Sequence, residues 1–213
     1  MNNIITINKK SPEPELIFRA AKILQKGGVI AYPTETVYGI GCNIFDDKAV
    51  NRIYTIKQRD KGKALIVIAA DIIQISDIVE SIPEEAEKLI ENFWPGPLTI
   101  VFETSSTLKE FPFGKSKTIA IRIPDNPICL SLLKISGFPI VSTSANISGQ
   151  PSATKAQQVF DQFGSELDLI IDGGEALTSQ PSTVIDITKT PPRILREGAI
   201  TPLEISTVID INI

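Results

Sequence analysis

The chain has 213 residues, 42% of them apolar and 22% charged, a composition that excludes wholesale disorder and predicts one large buried core. It has 21 basic and 25 acidic residues and therefore a net charge of −4. Strong, non-specific nucleic-acid binders are usually basic, so this charge argues against that class, although it is compatible with a local basic patch. The absence of histidine excludes Ser-His-Asp and Cys-His catalysis and the usual zinc ligand sets.

Hydrophobic periodicity predicts strands and helices that alternate early in the chain, with strands crowding together late. In chain order these are a strand at Ile4–Ile7, a helix at Pro12–Gln25, a strand at Val29–Ala31, a helix from Asp46 or Asp47 to Lys57, a strand at Leu65–Ala69, a helix at Pro83–Trp94, strands at Leu98–Phe102 and Thr118–Ile123, a helix at Pro127–Ile135, a strand at Pro139–Val141, a helix at Thr154–Phe163, and strands at Leu169–Asp172, Thr183–Ile187 and Arg193–Leu195. This order predicts an α/β fold: a single domain over residues 1–213 with a twisted, mostly open mixed sheet and flanking helices.

The sequence patterns typical of membrane and secreted proteins are missing, which predicts a cytoplasmic location. No apolar run approaches the roughly 20 residues of a membrane helix, and the first ten residues lack the basic start and apolar stretch of a signal peptide. The only cysteines, Cys42 and Cys129, imply no disulfide framework. We therefore expect a cytoplasmic protein without membrane contact.

Two glycine-rich nucleotide motifs are incomplete. The stretch 113–116 ends like a phosphate-binding loop, but Lys109 stands where its first glycine belongs. Gly39 and Gly41 begin a dinucleotide fingerprint that fails at Ile44. Any nucleotide is therefore held in another way.

Three segments place polar groups beside predicted strands or helices. Residues 32–41 offer hydroxyls, a carboxylate and glycines where a strand leaves the sheet, the usual ligand position in open α/β folds, although an ordinary turn explains them equally well. Residues 57–63 carry four cations, for which a solvated helix end is the simpler explanation. In residues 118–123, strand alternation separates Arg122 from the isoleucines, and an arginine in so apolar a strand requires an anion or a carboxylate partner. The pattern fits either a structural ion pair of Arg122 or a contact between Arg122 and a ligand.

Two further segments have the same character. Residues 139–149 are a buried strand that ends in hydroxyls and one amide, groups that either read a substrate or close a turn. Residues 181–186, followed by 193–198, again combine a hydroxyl pair with arginine near strand ends. Jointly, strand ends that offer serine, threonine, asparagine and a lone lysine or arginine suit a triphosphate and an amino acid better than a packed core.

Together these segments resemble the YrdC/TsaC family, the threonylcarbamoyl-AMP synthases. The resemblance runs from about Pro14 to Ile200 and is most specific at residues 33–39, 57–59, 94–97, 142–146 and 181–186. It implies a YrdC-like domain with a large concave cavity, in the short bacterial form without an extra C-terminal domain. It also implies an enzyme that condenses L-threonine, bicarbonate and ATP into threonylcarbamoyl-AMP and pyrophosphate. Partner proteins then transfer the threonylcarbamoyl group to tRNA.

The resemblance assigns site residues position by position. L-Threonine would be held by Thr36, Arg122, Ser142 and Ser182; ATP by Arg59, Lys63, Thr118, Ser144, Ser152 and Arg196; and the catalytic signatures are Lys57, Arg59, Ser144 and Asn146. No protein metal site is expected, and Mg²⁺ would arrive with ATP. Two positions depart from the family: Asp60 replaces a common proline, and Ile68 stands where some relatives have a histidine for threonine.

The implied chemistry needs no histidine. The threonine amine would attack bicarbonate or CO2, and the resulting carbamate would attack the α-phosphate of ATP, so catalysis would rest on positioning and charge stabilisation. Lys57, Arg59, Lys63 and Arg196 would neutralise the phosphates, and Arg122 would pair with the threonine carboxylate. The alternatives are an RNA-binding module with weak tRNA or double-stranded RNA affinity and no synthase activity, a paralogue with other carbamoyl chemistry, and a structural partner protein.

Overall fold

The structure, a computed structural model, describes residues 3–110, 116–176, 178 and 180–211; most of the incomplete phosphate-loop stretch at 113–116 lies outside them. The described strands are β1 (Ile4–Thr6), β2 (Ile30–Tyr32), β3 (Gly39–Asn43), β4 (Ile66–Ile68), β5 (Leu98–Glu103), β6 (Thr118–Arg122), β7 (Ile140–Ser144), β8 (Leu169–Asp172), β9 (Thr183–Asp186) and β10 (Arg193–Arg196). The described helices are α1 (Pro14–Gln25), α2 (Asp47–Ile56), α3 (Ile72–Ser76), α4 (Glu84–Phe93), α5 (Pro127–Ser136), α6 (Ala156–Phe163) and α7 (Pro202–Ser206).

All of these strands belong to one sheet, in the order β1-β8-β2-β3-β7-β4-β6-β5-β9-β10. The sheet contains both parallel pairs, such as β4 with β6 and β5 with β9, and antiparallel pairs, such as β3 with β7 and β5 with β6. The predicted mixed, open α/β sheet is therefore confirmed. The single-domain boundary at residues 1–213 stays a prediction.

Helices cover the two faces of the sheet unequally. One face packs against α2, α4 and α6 in a large core that includes Ile53, Leu89 and Val159. The other face packs against α1 and α5 in a smaller core, and the two helices also contact each other. The strand residues of this smaller core come from β2, β4, β7 and β8. The strands β5, β6 and β9 contribute no residue to this smaller core, and residues of all three line a cavity that α2 also borders.

Helix ends follow local chemistry that the sequence makes visible. The carboxylate of Asp46 accepts a hydrogen bond from the Ala49 amide at 3.0 Å, which caps α2. The side chain of Asn126 accepts from the amides of Ile128 and Cys129 and so caps α5, which ends at Gly137 with a positive φ of 79°. These caps set the position from which each helix crosses the sheet.

Sequence periodicity misses three elements. It assigns no strand to Gly39–Asn43, whereas this segment is β3, a central strand between β2 and β7. Glycine is depleted in strands and leaves no alternation to detect. The five-residue helices α3 and α7 are too short for a helical period to show.

Among the helices that the structure describes, none combines the length and apolarity needed to cross a membrane. The cytoplasmic location stays a prediction.

Candidate functional site

The candidate site lies on the sheet face that the helices leave partly open. Ile100, Ile121 and Ile185 point into the large core, so their strand neighbours Thr99, Arg122 and Val184 lie on the opposite face. Ser142 and Ser144 of β7 lie on that face too, because Val141, which precedes Ser142 on the strand, points into the large core. The sheet thus gathers hydroxyls and an arginine from strands that are far apart in sequence.

Arg122 is the central cation of this face, and only 4% of it is exposed. Its Nε donates to the Gly96 carbonyl oxygen at 3.0 Å, and its Nη1 donates to Thr36 Oγ1 at 3.1 Å. Its Nη2 forms an ion pair with the Glu35 carboxylate. The structure therefore shows the ion pair that sequence analysis left open, and the contact between Arg122 and a ligand stays a prediction.

Ser182 and Arg196 form a second polar group beside the first. The Arg196 Nη2 donates to the Ser182 carbonyl oxygen at 2.7 Å and to Ser182 Oγ at 3.0 Å, and the Ser182 hydroxyl also lies 2.8 Å from Thr99 Oγ1. A bulge at Leu195 shifts the register of β10, so that Arg196 rather than Leu195 pairs with Val184. Bulges commonly redirect a side chain next to a functional site.

The guanidinium groups of Arg59 and Arg122 lie close enough to that of Arg196 to affect its pKa. Partial burial, followed by the positive charges of Arg122 and Arg59, lowers the pKa of Arg196 from its ordinary value. These arginines come from the loop after α2, from β6 and from β10. Their convergence creates a region of positive potential on a chain whose net charge is −4.

The buried Lys57 and Asn146 and the half-buried Ser144 form a third polar group. The Lys57 ammonium donates to the Ser144 carbonyl oxygen and, at 2.6 Å, to the Asn146 carbonyl oxygen. Ser144 Oγ donates to Asn146 Oδ1 at 2.5 Å, while Asn146 Nδ2 donates to the Gln150 carbonyl oxygen at 2.6 Å. Burial, assisted by the charge of Arg59, lowers the pKa of Lys57 to about 8. In this geometry Lys57 holds the loop after β7 in place.

The end of α2 explains why Lys57 and Arg59 point in different directions. The Arg59 amide donates to the Tyr54 carbonyl oxygen at 2.9 Å and the Gln58 amide to that of Thr55 at 3.1 Å, the two bonds of a Schellman motif. Gln58 occupies the left-handed position of this motif with φ of 50°. Lys57 is buried as a result, whereas Arg59 donates to the carbonyl oxygens of Lys63 and Ala64 across the following loop.

A cavity of about 610 Å³ adjoins the second of these polar groups through Arg196. Its walls include apolar side chains from α2, β5, β9 and the 108–110 turn, and its polar lining includes Thr118, Lys61 and Arg196. Lys63 is exposed and lies in the same loop as Lys61 and Gly62, which line the cavity. A pocket of this size and character is typical of small-molecule and cofactor sites.

The remaining predicted residues lie near the first and third groups. Ser142 Oγ accepts a hydrogen bond from the buried Tyr32 hydroxyl at 2.8 Å. Ser152 precedes Ala153, whose carbonyl oxygen accepts from the Tyr38 amide at 2.9 Å and whose amide donates to Ala145 at 3.3 Å. The backbone of the residue after Ser152 therefore bonds to Tyr38 in the 32–41 segment and to Ala145 in the 139–149 segment.

Across the part of the chain that the structure describes, no group of three or more histidine, cysteine, aspartate or glutamate side chains is arranged to hold a metal ion.

Comparison with known proteins assigns the family. A family model described as "Sua5_yciO_yrdC: Telomere recombination" matches residues 22–198. The chain belongs to this Sua5/YciO/YrdC family. It is 42% identical over 209 residues to the threonylcarbamoyl-AMP synthase of Pyrococcus abyssi, an alignment covering 98% of this chain and 61% of the relative. The threonylcarbamoyl-AMP synthase of Bacillus subtilis is 40% identical over 206 residues, with 96% and 59% covered.

A solved structure supports the same assignment. The crystal structure of P. abyssi Sua5 complexed with L-threonine superposes with a TM-score of 0.92 at 42% identity and covers 97% of this chain and 60% of that one. The chain therefore spans about three fifths of the length of these relatives. The predicted family and YrdC-like fold are confirmed.

In this Sua5/YciO/YrdC protein the individual residue roles stay predictions. The structure brings together Thr36 with Arg122, Ser182 with Arg196, and Lys57 with Ser144 and Asn146. Sequence analysis assigned no role to Glu35 or Thr99. Strand alternation places Thr99 on the face opposite Ile100, which was a usable signal. The pairing of Glu35 with Arg122 spans 87 positions in the chain and had no local signal.

Proposed function

We propose that this chain is an L-threonylcarbamoyladenylate synthase, a nucleotidyltransferase that condenses L-threonine, bicarbonate and ATP into threonylcarbamoyl-AMP and pyrophosphate. The observation that carries the proposal is the convergence of Arg59, Arg122 and Arg196 beside a hydroxyl-bearing sheet face and a cavity. Like charges near one another are unfavourable until an anion joins them, which suits a polyphosphate. The similarity to two proteins named threonylcarbamoyl-AMP synthase supports the same interpretation.

The cavity supports ATP as one substrate. Its apolar walls, which include Val50, Tyr54 and Leu195, suit a flat nucleobase, and its polar lining, which includes Arg196, suits phosphate oxygens. Arg59 and Lys63 belong to the loop beside it and would reach the same phosphates. ATP would bind as its magnesium complex, with the ion held by phosphates and water.

The Arg122 group supports an amino acid as the second substrate. A guanidinium matches a carboxylate with two parallel hydrogen bonds, and the hydroxyls of Thr36, Ser142 and Ser182 lie on the same side of the sheet. The similar Sua5 of P. abyssi has been crystallised with L-threonine. L-Threonine is therefore the amino acid that we assign to this part of the site.

The reaction that we infer relies on placement rather than on a protein nucleophile. The threonine amine attacks CO2 derived from bicarbonate, and a carbamate oxygen then attacks the α-phosphate as pyrophosphate leaves. The cationic groups stabilise charge on the phosphates. Lys57 would contribute by holding Ser144 and Asn146 in position, because its ammonium is buried against their carbonyl oxygens.

The product would serve partner proteins that transfer the threonylcarbamoyl group to tRNA, and weak direct binding of tRNA or double-stranded RNA belongs to the same proposal. An RNA-binding module without synthase activity is the competing interpretation. Salt-dependent RNA affinity in a protein that never turns over ATP would favour it.

The proposal is tested by measuring pyrophosphate release from ATP with threonine and bicarbonate each omitted in turn. We expect release only when all substrates are present, and release that ignores threonine would contradict the substrate assignment. Arg59→Ala removes a charge-assisted contact of about 1.5–3 kcal/mol, so kcat/KM should fall roughly ten- to a hundredfold. Arg19→Ala, at an exposed position of α1, is the matched control and should keep full activity.

A further inference from the structure

The ion pair between Glu35 and Arg122 leaves binding capacity unused. A guanidinium carries five N–H groups. In Arg122 the Nε–H binds Gly96, one Nη1–H binds Thr36, and Nη2 faces Glu35. One N–H on each terminal nitrogen remains, so the guanidinium can still donate hydrogen bonds to an incoming carboxylate.

One oxygen of the Glu35 carboxylate, Oε2, has no donor among the described residues. The Glu35 side chain is only 11% exposed, and its Oε2 is buried without accepting a hydrogen bond from the described part of the chain. A buried carboxylate oxygen is costly unless a donor or cation satisfies it. A substrate that brings a cation would supply what this oxygen lacks.

We propose that Glu35 accepts a hydrogen bond from the α-ammonium group of the amino-acid substrate and thereby selects zwitterions at this site. The inference rests on the proposed function, which puts the substrate carboxylate on Arg122. In an α-amino acid one carbon separates the carboxylate from the ammonium, so a carboxylate on Arg122 brings the ammonium within reach of the adjacent Glu35.

Four charges would then alternate around the site: the guanidinium, the substrate carboxylate, the substrate ammonium and Glu35. Opposite charges neighbour each other at every step, and the zwitterion adds no net charge to a buried region. A carboxylate without the ammonium would instead lie beside Glu35 and be repelled. Glu35 would therefore be a specificity-determining residue as well as the counter-ion of Arg122.

Glu35→Gln tests this role because it removes the charge and keeps the size. Calorimetry would compare L-threonine with (R)-3-hydroxybutanoate, which has the same hydroxyl and carboxylate but no ammonium. We expect the affinity for threonine to fall at least about tenfold, since a charge-assisted hydrogen bond is lost, and the affinity for hydroxybutanoate to rise. A purely structural counter-ion would not move the two ligands in opposite directions.

The outcomes separate the two proposals. Wild-type protein that fails to bind threonine would contradict the proposed function, whereas unchanged or tighter threonine binding by Glu35→Gln would overturn the role of Glu35 alone. If Glu35→Gln does not fold, Glu35→Asp withdraws the carboxylate by one methylene. The preference of the Glu35→Asp variant for threonine over hydroxybutanoate should fall several-fold, and an unchanged preference would again overturn the inference. Glu15→Gln, on the exposed surface of α1, is the control and should leave both affinities unchanged.

Discussion

Replacing Lys57 by methionine removes one buried ammonium and keeps a side chain of similar length. Only 1% of Lys57 is exposed, and its Nζ donates to the carbonyl oxygens of Ser144 and Asn146. Each buried carbonyl that loses its donor costs about 1–3 kcal/mol. Because the buried charge itself carries a desolvation cost that methionine relieves, we expect the free energy of unfolding to fall by about 2–3 kcal/mol at neutral pH.

The pH dependence of this loss follows from the pKa of Lys57. Burial lowers that pKa to about 8 from an ordinary 10.5. At a pH between these two pKa values, Lys57 binds more protons in the unfolded chain than in the folded one, so its contribution to stability rises with pH. From pH 7.5 to pH 10 the gap in unfolding free energy between wild type and Lys57→Met should widen by about 2 kcal/mol.

Urea denaturation followed by the fluorescence of Trp94, the single tryptophan, measures both quantities. Lys48→Met is the matched control, since Lys48 is exposed on the same helix and should shift stability by no more than about 0.5 kcal/mol at either pH. Equal stability of Lys57→Met and wild type at pH 7.5, or a gap that narrows towards pH 10, would refute the reasoning.

Two further changes test the backbone around the site by the same denaturation assay. Gln58→Gly should raise the unfolding free energy by about 1 kcal/mol, because glycine adopts the positive φ of 50° freely; Gln58→Ala should bring no gain, and equal effects of the two would contradict this. Gly41→Ala should cost about 3 kcal/mol or more, since its Cβ would lie 2.5 Å from Ile140 Cγ2 and 2.6 Å from the Tyr32 hydroxyl. Gly62→Ala, with no atom nearer than 3.4 Å, is the control and should be nearly neutral; a similar loss in both would refute the packing argument.

Most of the sheet was predictable because its strands are short apolar runs with clear limits. The prediction at Leu169–Asp172 matches β8 in full, and that at Arg193–Leu195 stops one residue before the end of β10. The strand β3 was missed for a physical reason. Its glycines are required by close contact with Tyr32 and Ile140 on neighbouring strands, and no local pattern records such contacts.

Side-chain direction was less predictable than secondary structure. Sequence analysis assigned Lys57 and Arg59 together to the phosphates, and that assignment stays a prediction. The structure turns Lys57 inward and leaves Arg59 on the loop, because Gln58 adopts a left-handed conformation. Glutamine has no marked preference for that conformation, so its presence did not predict the turn.

The sequence by itself determined the kinds of group available: hydroxyls and arginines at strand ends, an arginine that needs an anion, and no histidine for acid–base work. Only the tertiary structure decided the pairings, such as Glu35 with Arg122 and Thr99 with Ser182. Local composition limits which residues can form strands and helices, whereas strand order and register bring distant residues together. The partner of a buried charge is therefore a property of the folded sheet rather than of any segment of the chain.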